Sequence, residues 1–176
     1  AGKDGLIIDV RDNGGGFTCD HLLTVLTQPM HAYTVGRNGA TGYPQDRHVY
    51  ASWNKPIVVI CNQNSFSNAE IFSHAIKTID RGKLVGTPTA GGVISTGSAT
   101  ILELGRMRLP GRGWFLPHNG EDMELYGAVP HLLVDVRRWD LISGKDPQLD
   151  KAIEVLKKEV KERSLKLAPP IYRSNR

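Results

Sequence analysis

Cysteine is scarce in this sequence. Only Cys19 and Cys61 occur in 176 residues, and they form no CxxC or other metal-ligand spacing. Cys61 closes an apolar run and reads as a small buried residue, so the cysteine usage favours a reducing compartment over a disulfide framework. Long hydrophobic runs are also absent. None approaches the roughly 18 to 20 residues of a membrane span. Aromatics make up 7% of the chain and are not interleaved with basic clusters, which removes the usual footprint of nucleic-acid binding. The net charge of +4 comes largely from "KKEVKER" and "YRSNR" near the C-terminus and reads as solvated surface. Neither G-x-G-x-x-G nor a GK[ST] follows any strand-like segment, so nucleotide binding has no motif to rest on.

What is present is a single domain's worth of chain with an ordinary hydrophobic fraction of 40% and no internal repeat. "GLIIDVR" reads as a buried strand, "DNGGGF" as a breaker, and "CDHLLTVLTQ" as a helix capped near Thr18 or Asp20. Residues 32–54 are polar and irregular, a loop or hairpin. "KPIVVIC" is a second buried strand, residues 69–78 a helix, and "KLVG" a third short strand. A Gly/Ser/Thr-rich loop then runs into a strand through "TILEL", and "RMRLPGRGWFLP" suggests a hairpin. "GAVPHLLVDV" is a turn with an exit segment. "DPQLDKAIEVLKKEVKER" is a long helix, with Leu149, Ile153, Leu156 and Val160 at helical spacing. Strands alternating with helices imply an α/β domain.

Two stretches carry chemistry. In "DVRDNGGG", three glycines after a strand permit positive φ and a close approach of backbone to a ligand. Their N–H groups could hold an oxyanion, and the plain reading is a tight strand-to-helix turn. In "CNQNSFSNAEIFSHAIK", Ser67 with Glu70 makes the S-x-x-E capping box. The same position suits a nucleophile, because a helix N-terminus stabilises developing negative charge and the Asn68 N–H points toward an oxyanion. A serine hydroxyl needs a base, and the local pattern alone leaves cap and nucleophile both open.

Taken together, "DGLIIDVRDNGGG", "SFSNAEIF", "GKLVGTPTAGGV", "ELYGAVPHLLVDV" and "DPQLDKAIEVL" occur in one order. In that order they resemble the C-terminal processing and tricorn peptidase family of serine proteases, over about residues 4–160. The tricorn branch looks closest, through the triple glycine, "TAGGV" and the "DPQLDKAIE" helix. The resemblance implies that Ser67 is the nucleophile and that Asn68, where tricorn has an aspartate, gives a backbone N–H to the oxyanion hole. It implies that Gly15 gives the other donor, and that Glu124 in "ELYG" helps orient the base. Read without the resemblance, Glu124 is an exposed loop carboxylate beside Glu121 and Asp122.

One departure is informative. The processing-peptidase branch carries a catalytic lysine in a "TxGKG" loop. Here the loop reads "TAGGV", with Gly92 at that place, while Lys83 reads as a surface residue. The tricorn branch uses a histidine from upstream of the "DVRxNGGG" strand, and its members place a PDZ domain before this core. The expectation is therefore an N-terminally incomplete catalytic core over residues 1–163, with a tail over 164–176. A local histidine does not substitute. His74 lies seven residues after Ser67, about 10 Å along a helix. His21, His31, His48, His118 and His131 sit in loops or at element ends and read as surface or structural residues.

The implied fold is a crotonase-like (ClpP-like) αββ-superhelix, and the implied chemistry is peptide hydrolysis through an acyl-enzyme on Ser67. No metal or organic cofactor is called for. The expected partners are a peptide or unfolded protein, an upstream PDZ- and His-bearing segment, and further copies of the chain in a homo-oligomer. Nucleic acid and a membrane span are not expected. Two rivals use the same scaffold: a non-catalytic ligand- or peptide-binding module, and a crotonase-type enzyme acting on acyl thioesters. The intact Ser67, Gly15 and Glu124 argue against the first, and the serine at the helix start against the second.

Overall fold

In the computed structural model, residues 2–29, 34–35, 41–42 and 51–166 are described. His31 and His48, and the tail beyond residue 166, lie outside them. The chain forms a mixed α/β domain around a four-stranded sheet. Its strands are β1 (Leu6–Asp9), β4 (Ile57–Cys61), β5 (Lys83–Gly86) and β8 (Leu132–Leu133), side by side in that order and all parallel. Parallel neighbours need crossover connections, and helices supply the first two, while residues 87–131 join β5 to β8 without a helix. Between β1 and β4 come α1 (Cys19–Thr27) and two paired two-residue strands, β2 (Thr34–Val35) and β3 (Thr41–Gly42). Between β4 and β5 comes α2 (Asn68–Thr78).

Strand β4 is the centre of the domain because every residue of "IVVIC" is buried. Successive side chains point to opposite faces. Ile57, Val59 and Cys61 face one core with Leu26 of α1 and Phe72 and Ile76 of α2. Val58 and Ile60 face the other core with Val85 and α4 (Pro147–Lys166). Helix α4 packs through Leu149, Ala152, Val155 and Leu156, so the stripe runs through Ala152 and Val155 rather than Ile153 and Val160. Both cysteines are free and buried, and burial pushes their thiols up, Cys19 to about 11 and Cys61 to about 12.

The hairpin expected inside "RMRLPGRGWFLP" is corrected. That stretch is mostly one strand, β7 (Gly105–Gly113), paired antiparallel with β6 (Ile94–Ile101), and the reversal falls at residues 102–104. Pro110–Gly111 looks like a turn in sequence. Here it sits beside the register shift between Ser95 and Thr96, and a bulge in a two-stranded ribbon is a place that tolerates proline. A short helix that the sequence reading passed over, α3 (Arg138–Ile142), starts where Asp140 accepts the Arg137 N–H at 2.9 Å.

Candidate active site

The carboxyl ends of β1 and β4 deliver two turns to one place. Val10 N–H still pairs with the Ile60 carbonyl at 2.9 Å, and then both chains leave the sheet. The turns are tied by three links. Ser65 Oγ donates to the Val10 carbonyl at 2.8 Å, Phe66 N–H donates to the Asn13 carbonyl at 2.9 Å, and Asn62 and Asn64 amides converge on Asp12 Oδ1. Those two amides hold the Asp12 carboxyl below the ordinary carboxylate range.

The two serines of "SFS" have different fates. Ser65 is fully buried and its hydroxyl is spent on Val10. Ser67 stands at the start of α2 with φ 56° and ψ −114°, a conformation that costs a non-glycine residue roughly 1–3 kcal/mol. Such a residue persists only where its surroundings over-determine it, and here Glu70 does so. Glu70 is completely buried. Its Oε1 accepts the N–H groups of Ser67 and Gly92, both at 2.9 Å, and its Oε2 accepts Thr89 Oγ1 at 2.7 Å and the Gly91 N–H at 2.5 Å. The S-x-x-E box is therefore lopsided. Its Glu70 half is a full hydrogen bond, while the Glu70 N–H donates to the Ser67 carbonyl at 2.9 Å and meets the Ser67 hydroxyl only as a looser second contact.

Gly15 lies directly against this serine. A Cβ added there would be 2.7 Å from Ser67 Cβ, 2.9 Å from the Phe66 carbonyl oxygen and 3.0 Å from Asn68 N. With φ 96°, the position excludes any side chain both sterically and conformationally. The Gly15 N–H donates to Asn13 Oδ1 at 2.8 Å. The Asn68 N–H, in the first turn of α2, has no acceptor among the described residues, and its side chain instead takes the Cys19 N–H at 2.9 Å, tying the starts of α1 and α2 together. The structure thus brings Ser67, Gly15 and Asn68 together.

Glu124 joins the same network one step away. Its neighbour Leu125 donates its N–H to the Gly91 carbonyl at 2.8 Å, next to the Gly91 N–H held by Glu70. Glu124 Oε2 is buried and has no hydrogen-bond partner among the described residues. The side chain is half-buried, unlike the exposed loop carboxylate that local sequence suggests. At Gly92, a Cβ would fall 2.1 Å from the Phe66 ring. The ring fills the space in which a lysine side chain would start.

Among the described residues, no histidine hydrogen-bonds Ser67. His21 and His118 are exposed. His131 Nδ1 accepts the Leu84 N–H at 2.9 Å, and burial pushes this imidazole down. His74 is also pushed down by burial. The hub role of Glu70, together with Thr89 and Asn13, was not identified from sequence. Only S-x-x-E hinted at Glu70, and nothing local announces that its carboxylate also holds residues 89–92.

The site is thus a strained serine opening a helix, with a glycine turn pressed against it. Comparison with known proteins makes the class specific. The peptidase family S41 profile matches residues 1–134, and the chain belongs to that family. It is 34% identical over 159 residues to the tricorn protease of Thermoplasma acidophilum, covering 89% of this chain and 14% of that one. It is 33% identical over 171 residues to tricorn protease homolog 1 of Streptomyces coelicolor, covering 96% and 16%. The crystal structure of the tricorn protease superposes with a TM-score of 0.78 at 34% identity, over 90% of this chain and 15% of that one. The chain therefore spans only a minor part of the length of these relatives.

Proposed function

We propose that this chain is the catalytic core of a serine peptidase of the tricorn type, with Ser67 as nucleophile. The observation that carries the reading is the positive-φ Ser67 at the start of α2 with Gly15 packed on its Cβ. Ser67 Oγ attacks a peptide carbonyl and its proton passes to a histidine base. The oxygen of the tetrahedral intermediate takes hydrogen bonds from the Asn68 and Gly15 N–H groups. Gly15 gives up, or shares, its bond to Asn13 when this oxygen arrives. The base returns the proton to the leaving amine, and water then releases the acyl group from Ser67.

The base comes from a segment upstream of residue 1, in a region that also carries a PDZ domain. Glu124 orients it, and the unpartnered Oε2 supports this reading because a buried carboxylate oxygen is costly without a donor. The scaffold is a crotonase-like superhelix, a reading supported by the parallel β1–β4–β5 core with its helical crossovers. The working form is a homo-oligomer acting on peptides or unfolded protein, with no cofactor.

A fluorophosphonate probe tests this on the protein extended upstream to include the PDZ- and His-bearing region. The expected result is one covalent adduct, located on Ser67 by mass spectrometry and absent in Ser67→Ala. Labelling of a different residue, or none, contradicts the assignment and favours a binding module.

A further inference from the structure

The two N–H groups assigned to the oxyanion belong to separate turns, Gly15 after β1 and Asn68 after β4. One oxygen accepts both only if the two nitrogens are held within hydrogen-bond reach of a single point. Up to the glycines, the turns are tied to each other. Ser65 Oγ donates to the Val10 carbonyl, and the Phe66 N–H to the Asn13 carbonyl. Beyond Gly15 that support ends. Residues 16–18 are exposed, Phe17 by 93%, and a Cβ added at Gly16 would meet nothing within 4 Å. Among the described residues, one hydrogen bond joins this far end of the glycine turn to the serine turn. It runs from the Cys19 N–H to Asn68 Oδ1 at 2.9 Å.

That bond does for α1 what the adjoining sequence does not. Cys19 is the first residue of α1, and the leading N–H groups of a helix have no partner within it. Thr18 stands at the N-cap position with φ −94° and ψ −9°, values of the helical region, and its side chain caps nothing. Asn68, at the start of the neighbouring helix, supplies the acceptor instead. Its two polar parts therefore face different tasks. The N–H has no acceptor among the described residues and lies 3.0 Å from where a Gly15 Cβ would be, while Oδ1 is committed to α1. The bond draws the exit of the glycine turn against α2 and so limits how far Gly15 can move from Asn68.

We propose that the Asn68 side chain is a positioning group that sets the separation of the two oxyanion donors, a role distinct from that of its own N–H. The proposal rests on Ser67 being the nucleophile.

Asn68→Leu keeps the size of the side chain and removes the acceptor. Asn68→Asp keeps an acceptor, and a carboxylate is favoured beside the α1 N-terminus. The first measurement is amide hydrogen exchange by NMR on the 176-residue chain. Asn68→Leu is expected to speed exchange of the Cys19 N–H about tenfold or more, with the β4 amides changing less, and Asn68→Asp to restore protection. The second is peptide hydrolysis by the protein extended upstream. In Asn68→Leu, kcat is expected to fall about 10- to 100-fold with KM within about threefold, because the donors act on the transition state. Asn68→Asp is expected to recover most of the lost kcat, which a general loss of activity on substitution would not show. Unchanged exchange at Cys19, a wild-type kcat in Asn68→Leu, an effect confined to KM, or Asn68→Asp as slow as Asn68→Leu would each overturn the proposal. If turnover depends on Ser67 and ignores Asn68→Leu, the clamp alone falls. If wild-type turnover does not depend on Ser67, the nucleophile reading falls and the clamp's role in catalysis with it.

Discussion

Glu70→Gln is the sharpest perturbation the site allows, because it keeps the shape of the side chain and changes only what the four donors meet. Ser67 and Gly92 N–H groups share Oε1, and Gly91 N–H and Thr89 Oγ1 share Oε2. A glutamine has one oxygen. With that oxygen in the Oε1 place, the NH₂ group faces Thr89, which can turn its hydroxyl to accept, and the Gly91 N–H, which cannot. With the amide flipped, the Ser67 and Gly92 N–H groups both lose their acceptor. The cheaper orientation strands one buried backbone N–H, at about 1–3 kcal/mol, and turns charge-assisted bonds into neutral ones, costing roughly 1 kcal/mol more. Relief from burying a charge offsets part of this. The expected net loss is about 2–3 kcal/mol, or about 4–12 °C in Tm for a domain of this size. In that orientation Ser67 keeps its acceptor but as a neutral amide oxygen, so the bond that enforces its positive φ is weakened and fluorophosphonate labelling of the upstream-extended protein is expected to slow. The assays are thermal unfolding and labelling rate. A variant that melts within about 2 °C of wild type and labels at the same rate would refute the reasoning that Glu70 holds the serine.

Gly15→Ala places a Cβ on Ser67 Cβ at positive φ, costing about 1–2 kcal/mol in backbone strain alone; the variant is expected to fold and to label at least tenfold more slowly, and wild-type labelling would contradict the packing argument. Arg11 joins β1 to α4 through paired bonds to Asp146 at 2.9 and 2.8 Å and a third to Gln148 at 3.2 Å, holding the Asp146 carboxyl low. Arg11→Met is expected to cost about 1–2 kcal/mol in urea unfolding, and an unchanged midpoint would show that this partly exposed pair contributes nothing. His74 titrates below 6.5 in the folded protein because it is buried. The unfolded chain then binds more protons as pH falls below 6.5, so stability is complete above that value and drops on acidification, by up to about 1.4 kcal/mol per pH unit per imidazole. Asp12 and Asp146, both lowered from 3.8, add a separate loss only near and below that pH. A Tm that stays flat or rises from pH 7.5 to 5.5 would contradict the sign.

The elements that positioned the site were readable where the local pattern and the tertiary role agree. "KPIVVIC" is apolar on both faces because two layers of helices cover it, so its strand assignment needed no context. The α2 start was within one residue, since S-x-x-E marks it. The "LPGRG" stretch failed because proline and glycine signal a turn locally, while pairing with residues 94–101 forces them into a strand with a bulge. At the site, Ser67, Asn68 and Gly15 could be named from ordered motifs, and they lie together. The environment of Glu124 could not be read, since its burial depends on residues 89–92 docking onto Glu70. The absence of a side chain at position 92 was legible as a missing lysine, but its cause, the Phe66 ring in that space, was not.

The most direct measurement of the central claim is peptide hydrolysis beside thermal unfolding for wild type and Ser67→Ala, made on the 176-residue chain and on the protein extended upstream. Without a general base, the 176-residue chain is expected to turn over 10²- to 10⁴-fold or more below the extended protein. In the extended protein, Ser67→Ala is expected to lower the rate by several orders of magnitude with little change in Tm, because the Glu70 N–H keeps the Ser67 carbonyl as its acceptor. Ser67→Ala that folds normally and cleaves near the wild-type rate would contradict the account, and so would robust Ser67-dependent turnover by the 176-residue chain alone, which would place the base within it.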